Sequence, residues 1–191
     1  MGLTASNHHE FEMVPFRASP SLQSLPSPLN ISITGTLQIT HSHLRIQYCT
    51  SGDDILAIRW PKTSQNLRCQ DELWRNTCFE LFIASKNEPS YLEYNFSPSR
   101  HWAVYAFKTY RQRKALDYIS DININHRRAD GERFTDVNII LLSEFQNTAI
   151  DIGVSAVIES NNGDLFYYAL THKGDSPNFH LRESFILEVQ K

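Results

Sequence analysis

The sequence predicts an all-β chain folded as an antiparallel β-sandwich, jelly-roll or immunoglobulin-like, with few short helical turns. About ten short β-rich segments recur at intervals of roughly 8–15 residues, divided by turn-forming residues. No segment keeps a 3.6-residue apolar period through three turns. The length of 191 residues, with 41% hydrophobic and 20% charged residues, suits one soluble domain able to bury a core. The whole chain, 1–191, therefore reads as one domain, with residues 1–9 as a flexible tail.

The most informative stretch is residues 71–107. Thr77–Ala84 reads as a strand with Phe79, Leu81 and Ile83 on one face, and Cys78, Glu80 and Phe82 on the other. Asn87-Glu88-Pro89-Ser90 breaks it, because proline biases its predecessor away from helix. Tyr91–Ser97 alternates again, with Leu92, Tyr94 and Phe96 opposite Tyr91, Glu93 and Asn95. Ser97-Pro98-Ser99-Arg100 turns the chain into a third strand, Trp102–Phe107. Paired as a meander, these strands build a core on one face and place Glu80, Glu93 and Asn95 together on the other.

The remaining elements follow the same logic. Glu10–Val14 reads as a strand, and the Pro- and Ser-rich Pro15–Pro28 as an extended connection. Ile31–Thr40 and His43–Thr50 form a hairpin, and Ile55–Trp60 a further strand after the Ser51–Asp54 turn. Gln70–Trp74 suits one helical turn. Lys108–Ala115 is basic and poorly periodic, and its Arg111, Arg113 and Lys114 read as a solvated turn. Strands are expected at Asp121–Asn125, Phe134–Leu142 and Thr148–Ser160. Asn161-Asn162-Gly163-Asp164 then makes a hairpin turn into Leu165–Leu170, and Phe185–Val189 is the last strand.

The net charge of −3 gives no electrostatic case for a nucleic-acid partner, and no apolar run approaches the ~20 residues of a membrane span. Met1-Gly2 with Ser6 fits a loose myristoylation pattern, for which the plainer reading is a small residue after the initiator. No secretory signal is visible. Cys49, Cys69 and Cys78 are odd in number and lack CxxC spacing, which suits a reduced, cytoplasmic setting with Cys78 as a packed thiol.

Glu80 and Glu93 admit three readings. They are solvent-facing polar residues of a half-exposed sheet, a carboxylate pair of the glycosidase kind, or hydroxyl acceptors for a sugar stacked on an aromatic ring. Trp74, Trp60 and Trp102 are the candidate platforms, with Trp102 equally suited to the core. A structural role for Glu80 would instead pair it with Arg75 or Arg100. The eight histidines show no HExxH, and without CxxCH covalent haem is excluded; Met–His haem ligation would fall to Met13. No nucleophile elbow, phosphate loop or dinucleotide fingerprint occurs. No cofactor is implied, and a b-type haem is the alternative.

LWRNTCFELFIASKNEPSYLEYNFSPSRHWAVYAFKTYR resembles the core of the bacterial DOMON-like proteins, with pattern LWxxTCFExF and then YxEFNFSPSGxWAxYxFxxYR. MVPFRASP, LAIRWP and YYALTHKGDSPNFHLRESFILEV extend the resemblance over most of the chain. Arg100 stands where glycine is usual, and Asn178 where aspartate is. The resemblance implies a β-sandwich related to family-nine carbohydrate-binding modules and to haem- or sugar-binding DOMON domains. In such modules a tryptophan stacks on the sugar and an acidic residue six positions later takes its hydroxyls. Trp74 and Glu80 match that spacing. A second sandwiching tryptophan has no counterpart, so Phe179 or His180 would substitute. The expected binding residues are Trp74, Glu80, Glu93 and Asn95, with Arg75 and His180 at the rim, for a non-catalytic protein with a sugar or sugar-like ligand.

Overall fold

A computed structural model describes residues 7–17, 27–116 and 121–190. In chain order the strands are β1 (Asn7–Pro15), β2 (Ser32–Ile39), β3 (His43–Ser51) and β4 (Cys78–Ser85). β5 (Tyr91–Phe96), β6 (Trp102–Thr109), β7 (Gln112–Lys114) and β8 (Ile122–Ala129) follow. The last are β9 (Glu132–Ile140), β10 (Ile150–Glu159), β11 (Leu165–Ala169) and β12 (Leu187–Val189). The first sheet runs β1-β2-β3-β9-β8, and the second β7-β6-β5-β4-β10-β11, with β12 also on β10. Every strand pair is antiparallel. β1 joins the sheets, pairing with β2 through Met13 and with β11 at Val14 and Pro15. The fold is an all-β sandwich whose helical content is short 3-10 turns.

The sheets meet through large side chains. Tyr48 of β3 stacks on Phe79 of β4 with centroids 4.7 Å apart, and its hydroxyl donates to the Glu80 carbonyl at 3.1 Å. That bond satisfies the one polar atom that the buried tyrosine brings inside. Register places Phe79 opposite Phe96, Leu81 opposite Tyr94 and Ile83 opposite Leu92. Directly opposed residues share a face, so all six point into the core, as the alternation indicates.

The other face of β4 and β5 departs from the half-exposed expectation. Every residue of β5, and all but the last of β4, is buried. Two coverings explain this. Leu73, in the 3-10 turn Leu73–Arg75, packs over Cys78 and Ala103 at one end. Phe185 packs over Phe82, Ala84, Tyr91 and Phe107 at the other. Phe185 approaches so closely that a Cβ on Gly153 would lie 2.8 Å from its ring, so β10 carries glycine there. The apolar residues on both faces are thus a consequence of two-sided burial.

Several local expectations change. Residues 7–9, expected in a tail, begin β1, while residues 1–6 and 18–26, including the myristoylation pattern and most of the Pro-rich stretch, lie outside the described residues. Residues 55–60 are not a strand. Asp53–Ala57 is a 3-10 turn, held because Asp54 accepts from the Asn30 amide N–H and Asp53 from the Asn30 side chain, and Ile58 makes only a bridge to Ser160. The basic segment contains β7, an exposed edge strand with no apolar period to reveal it. Arg100 adopts φ 75, which explains why glycine suits that position; its side chain donates to the Ile124 carbonyl at 3.1 Å. Among the described residues no helix is long and apolar enough to cross a membrane.

Phe96 is fully buried between Phe79 and Trp102. Phe96→Ala is expected to cost about 3–5 kcal/mol in chemical denaturation. A loss below about 1 kcal/mol would mean that the inward face is assigned wrongly.

Candidate functional site

Between the two coverings the outer face of the second sheet stays open as a trough of about 390 Å³. Strand order sets its layout. Glu93 on β5 and Glu80 on β4 form the middle of the floor, flanked by Phe107 on β6 and Val157 on β10. Toward β6 stands a wall of Trp74 against Tyr105, edge to face at 5.3 Å, with the Arg113 guanidinium 4.1 Å over Tyr105. Toward β11 stands Tyr167 with Phe179, 6.2 Å apart. β6 and β11 are four strand spacings apart, roughly 19 Å.

Each wall is fixed by its element. Leu73 anchors its turn in the sheet, so its neighbour Trp74 projects over the floor rather than into a core. Tyr105 is held by its hydroxyl, which donates to Asp71 and accepts the Glu72 amide N–H at 3.2 Å. On the opposite side Phe179 and His180 ride on the segment that Phe185 pins to the sheet.

The floor carboxylates are nearly inaccessible, with Glu80 3% and Glu93 5% exposed. Glu80 accepts from the Ser155 hydroxyl at 2.8 Å, and Glu93 from the Asn95 side-chain amide at 2.7 Å. Neither pairs with Arg75, which binds Glu72, nor with Arg100. Burial, then repulsion from Glu93, push the Glu80 carboxyl up to about 8, against the Ser155 hydrogen bond. Burial also raises Glu93, while Asn95, Arg113 and Arg111 oppose the rise.

His180 is positioned by a relay. The Arg111 backbone N–H donates to the Tyr91 hydroxyl at 3.1 Å, and that hydroxyl lies 2.9 Å from His180 Nδ1. The other ring nitrogen, Nε2, lies 3.7 Å from Glu93 Oε2. That separation is too long for a hydrogen bond. Although a carboxylate is near, burial and then Arg111 and Arg113 lower His180 to about 4, so the ring is neutral and no ion pair forms. Desolvation beside two guanidiniums outweighs one long carboxylate contact.

Of the six expected residues, Trp74, Arg75, Glu80, Glu93 and His180 line the trough. Asn95 does not. It shares the face of Glu80 and Glu93 but is fully buried beside them, accepting from Cys78 Sγ at 3.5 Å and donating to Glu93, so it orients a carboxylate. Trp60 is elsewhere, stacked on His126 at 5.4 Å, and Trp102 packs against the core. Arg111 and Arg113 are exposed, as expected, Arg111 in the turn and Arg113 on β7, but both also line the trough. Tyr167 was also missed; its signal was the period-2 alternation of Leu165, Tyr167 and Ala169 after the hairpin turn. Among the described residues no group of three or more His, Cys, Asp or Glu is arranged to hold a metal ion, and Met13 lies in the core.

No family model matches this chain, and no curated protein matches it. A structure of a proposed carbohydrate-binding protein from Bacteroides uniformis is similar over 92% of this chain and 83% of its own, at 12% identity and a TM-score of 0.63. That shared architecture is the sandwich described above. Two structures of a family-nine carbohydrate-binding module from Caldicellulosiruptor kristjanssonii are more distant, each 7% identical over 80% of this chain. The cellotriose complex is covered over 75% with a TM-score of 0.48, and the glucose complex over 77% with 0.49.

A carboxyl whose pKa is higher folded than unfolded stabilises fully below the unfolded value and loses that contribution as pH rises through the folded value. For Glu80 the loss falls between the ordinary carboxylate range and about pH 8. An unfolded imidazole is half neutral at about pH 6.5 and fully neutral a unit or so higher, so His180 offsets little of the loss above that pH. Wild-type Tm is expected to fall from pH 6.5 to 8.5. Glu80→Gln keeps an acceptor for Ser155 and should flatten that fall, gaining on the order of 1–3 kcal/mol at pH 8.5. A variant destabilised equally at both pH values would show an ionised structural carboxylate.

Proposed function

We propose that this chain binds a small carbohydrate in the trough of its second sheet and returns it unchanged. The observation that carries the reading is the floor, where two carboxyls with oriented partners lie between aromatic walls. Sugar recognition needs acceptors for hydroxyls and flat apolar faces for ring C–H groups. Glu80 and Glu93 supply the first, Trp74 and Tyr167 the second. The volume suits a small ligand. The Bacteroides uniformis protein of the same fold is itself a proposed carbohydrate binder, in keeping with this reading. Kinship with the DOMON-like group belongs to the same proposal and rests on the sequence motifs.

One observation favours hydrolysis as a second reading. Glu80 is raised by burial and Glu93, whereas Asn95 and two arginines restrain Glu93, and such asymmetry suits an acid and its partner. Binding remains the stronger reading because both carboxyls sit at the base of the trough, 3% and 5% exposed, with an oxygen of each already engaged.

Calorimetry with mono- and disaccharides, analysing the recovered sugar by chromatography, tests both. Glu93→Gln is expected to weaken binding about ten-fold to a hundred-fold, and Trp74→Ala about ten-fold, each measured well below that variant's own Tm. Unchanged affinity in both variants would remove the ligand from this trough. Cleaved sugar in the recovered sample would establish hydrolysis instead.

A further inference from the structure

The carboxyl floor accounts for hydroxyl groups, but not for the two guanidiniums on the trough wall. Arg111 and Arg113 both line the cavity. Neighbouring cations are neutralised, Arg75 by Glu72 and Arg182 by Asp151. Among the described residues no carboxylate lies within ion-pair distance of Arg111 or Arg113. Arg111 meets the Asn178 amide oxygen at 3.5 Å and the Tyr110 ring, and Arg113 lies over Tyr105 and Trp74. The Asn178 amide is neutral, so it orients Arg111 without cancelling its charge. Arg111 also holds φ 53, a costly conformation for a side chain of its size, and its backbone N–H binds Tyr91.

The floor does not balance these cations. Burial and mutual repulsion keep a proton on the glutamate pair near neutrality, and His180 is uncharged. The pair thus supplies about one negative charge, and Asp71, whose carboxyl the Tyr105 hydroxyl and Arg113 help to keep ionised, a second. Yet neither makes an ion pair with Arg111 or Arg113, and the guanidinium forks keep donors open to the trough. Planar guanidinium forks fit carboxylate and phosphate oxygens in paired hydrogen bonds.

We infer that the trough takes an anionic saccharide, a sugar bearing a carboxylate or phosphate, with hydroxyls on Glu80 and Glu93 and the anion at Arg111 and Arg113. The inference rests on the saccharide reading above and adds the charge of the ligand. Asn178 is a positioning residue for Arg111.

The test is calorimetry of the full chain at pH 7 with glucose, glucuronate, glucose 6-phosphate and inorganic phosphate, each at low and high salt. Glucuronate or glucose 6-phosphate is expected to bind about ten-fold to a hundred-fold tighter than glucose, the acid that wins identifying the anion. This preference should shrink with salt and disappear in Arg111→Gln/Arg113→Gln, read as the ratio of acid to glucose affinity within that variant. Because Arg113 packs on Tyr105, Tm is measured for the variant, and the wild-type comparison stands without it. Glucose binding as tightly as both acids would overturn the anionic inference and leave the saccharide reading intact. Inorganic phosphate matching glucose 6-phosphate would overturn it as a bare anion site. Binding by none of the sugars would overturn both.

Discussion

Phe185 lies against Phe82 with centroids 5.3 Å apart and closes over Tyr91 and Phe107, and the site depends on that packing. Without it, the outer face of the second sheet would be an ordinary wet surface, and Glu80 and Glu93 ordinary exposed carboxylates. With it, and with Leu73 at the opposite end, the face becomes a trough with a buried floor. Burying a ring of this size stabilises by roughly 1.5–3 kcal/mol, so one contact contributes both to folding and to the electrical environment of the site. Gly153 belongs to the same arrangement, since any side chain there would displace the ring.

The electrostatics follow from the burial of the floor. A carboxyl removed from water and set beside a second one holds its proton more tightly, and Ser155 and Asn95 only partly offset this. An imidazole in the same environment loses its proton more readily, and two guanidiniums reinforce the effect. The trough thus combines hydrogen-bonding groups of low charge with a positive wall. Groups held by neighbours before a ligand arrives need little reordering to bind, which favours affinity in a small site.

Much was legible in the sequence where packing and period agree. Phe79, Leu81, Leu92, Tyr94 and Phe96 alternate cleanly, and a meander of neighbouring strands can pair them in only one facing sense. The same alternation brought Glu80 and Glu93 onto one face. Expectations failed where local polarity did not report tertiary surroundings. β7 is a three-residue edge strand of polar residues, and its pairing with β6 leaves no apolar trace. Residues 55–60 are β-rich in composition, yet Asp53 and Asp54 bind Asn30 and bend the chain into a 3-10 turn. Asn95 carries the same polarity as a binding residue, but its hydrogen bonds go to buried neighbours.

The sequence by itself determined the fold class, the inward and outward faces of the central strands, and five of the residues that line the trough, because side-chain period and turn chemistry are local properties. Tertiary structure alone decided that the floor is buried, that Asn95 is covered beside it, and that Arg111, Arg113 and Tyr167 converge on it. Those outcomes depend on residues far apart in the chain. Phe185 lies over Phe82, and Asn178 beside Arg111, only after β10, β11 and the following loop have returned to the sheet. Desolvation, which sets the charge of Glu80 and His180, is a property of everything surrounding them, and no stretch of sequence carries it.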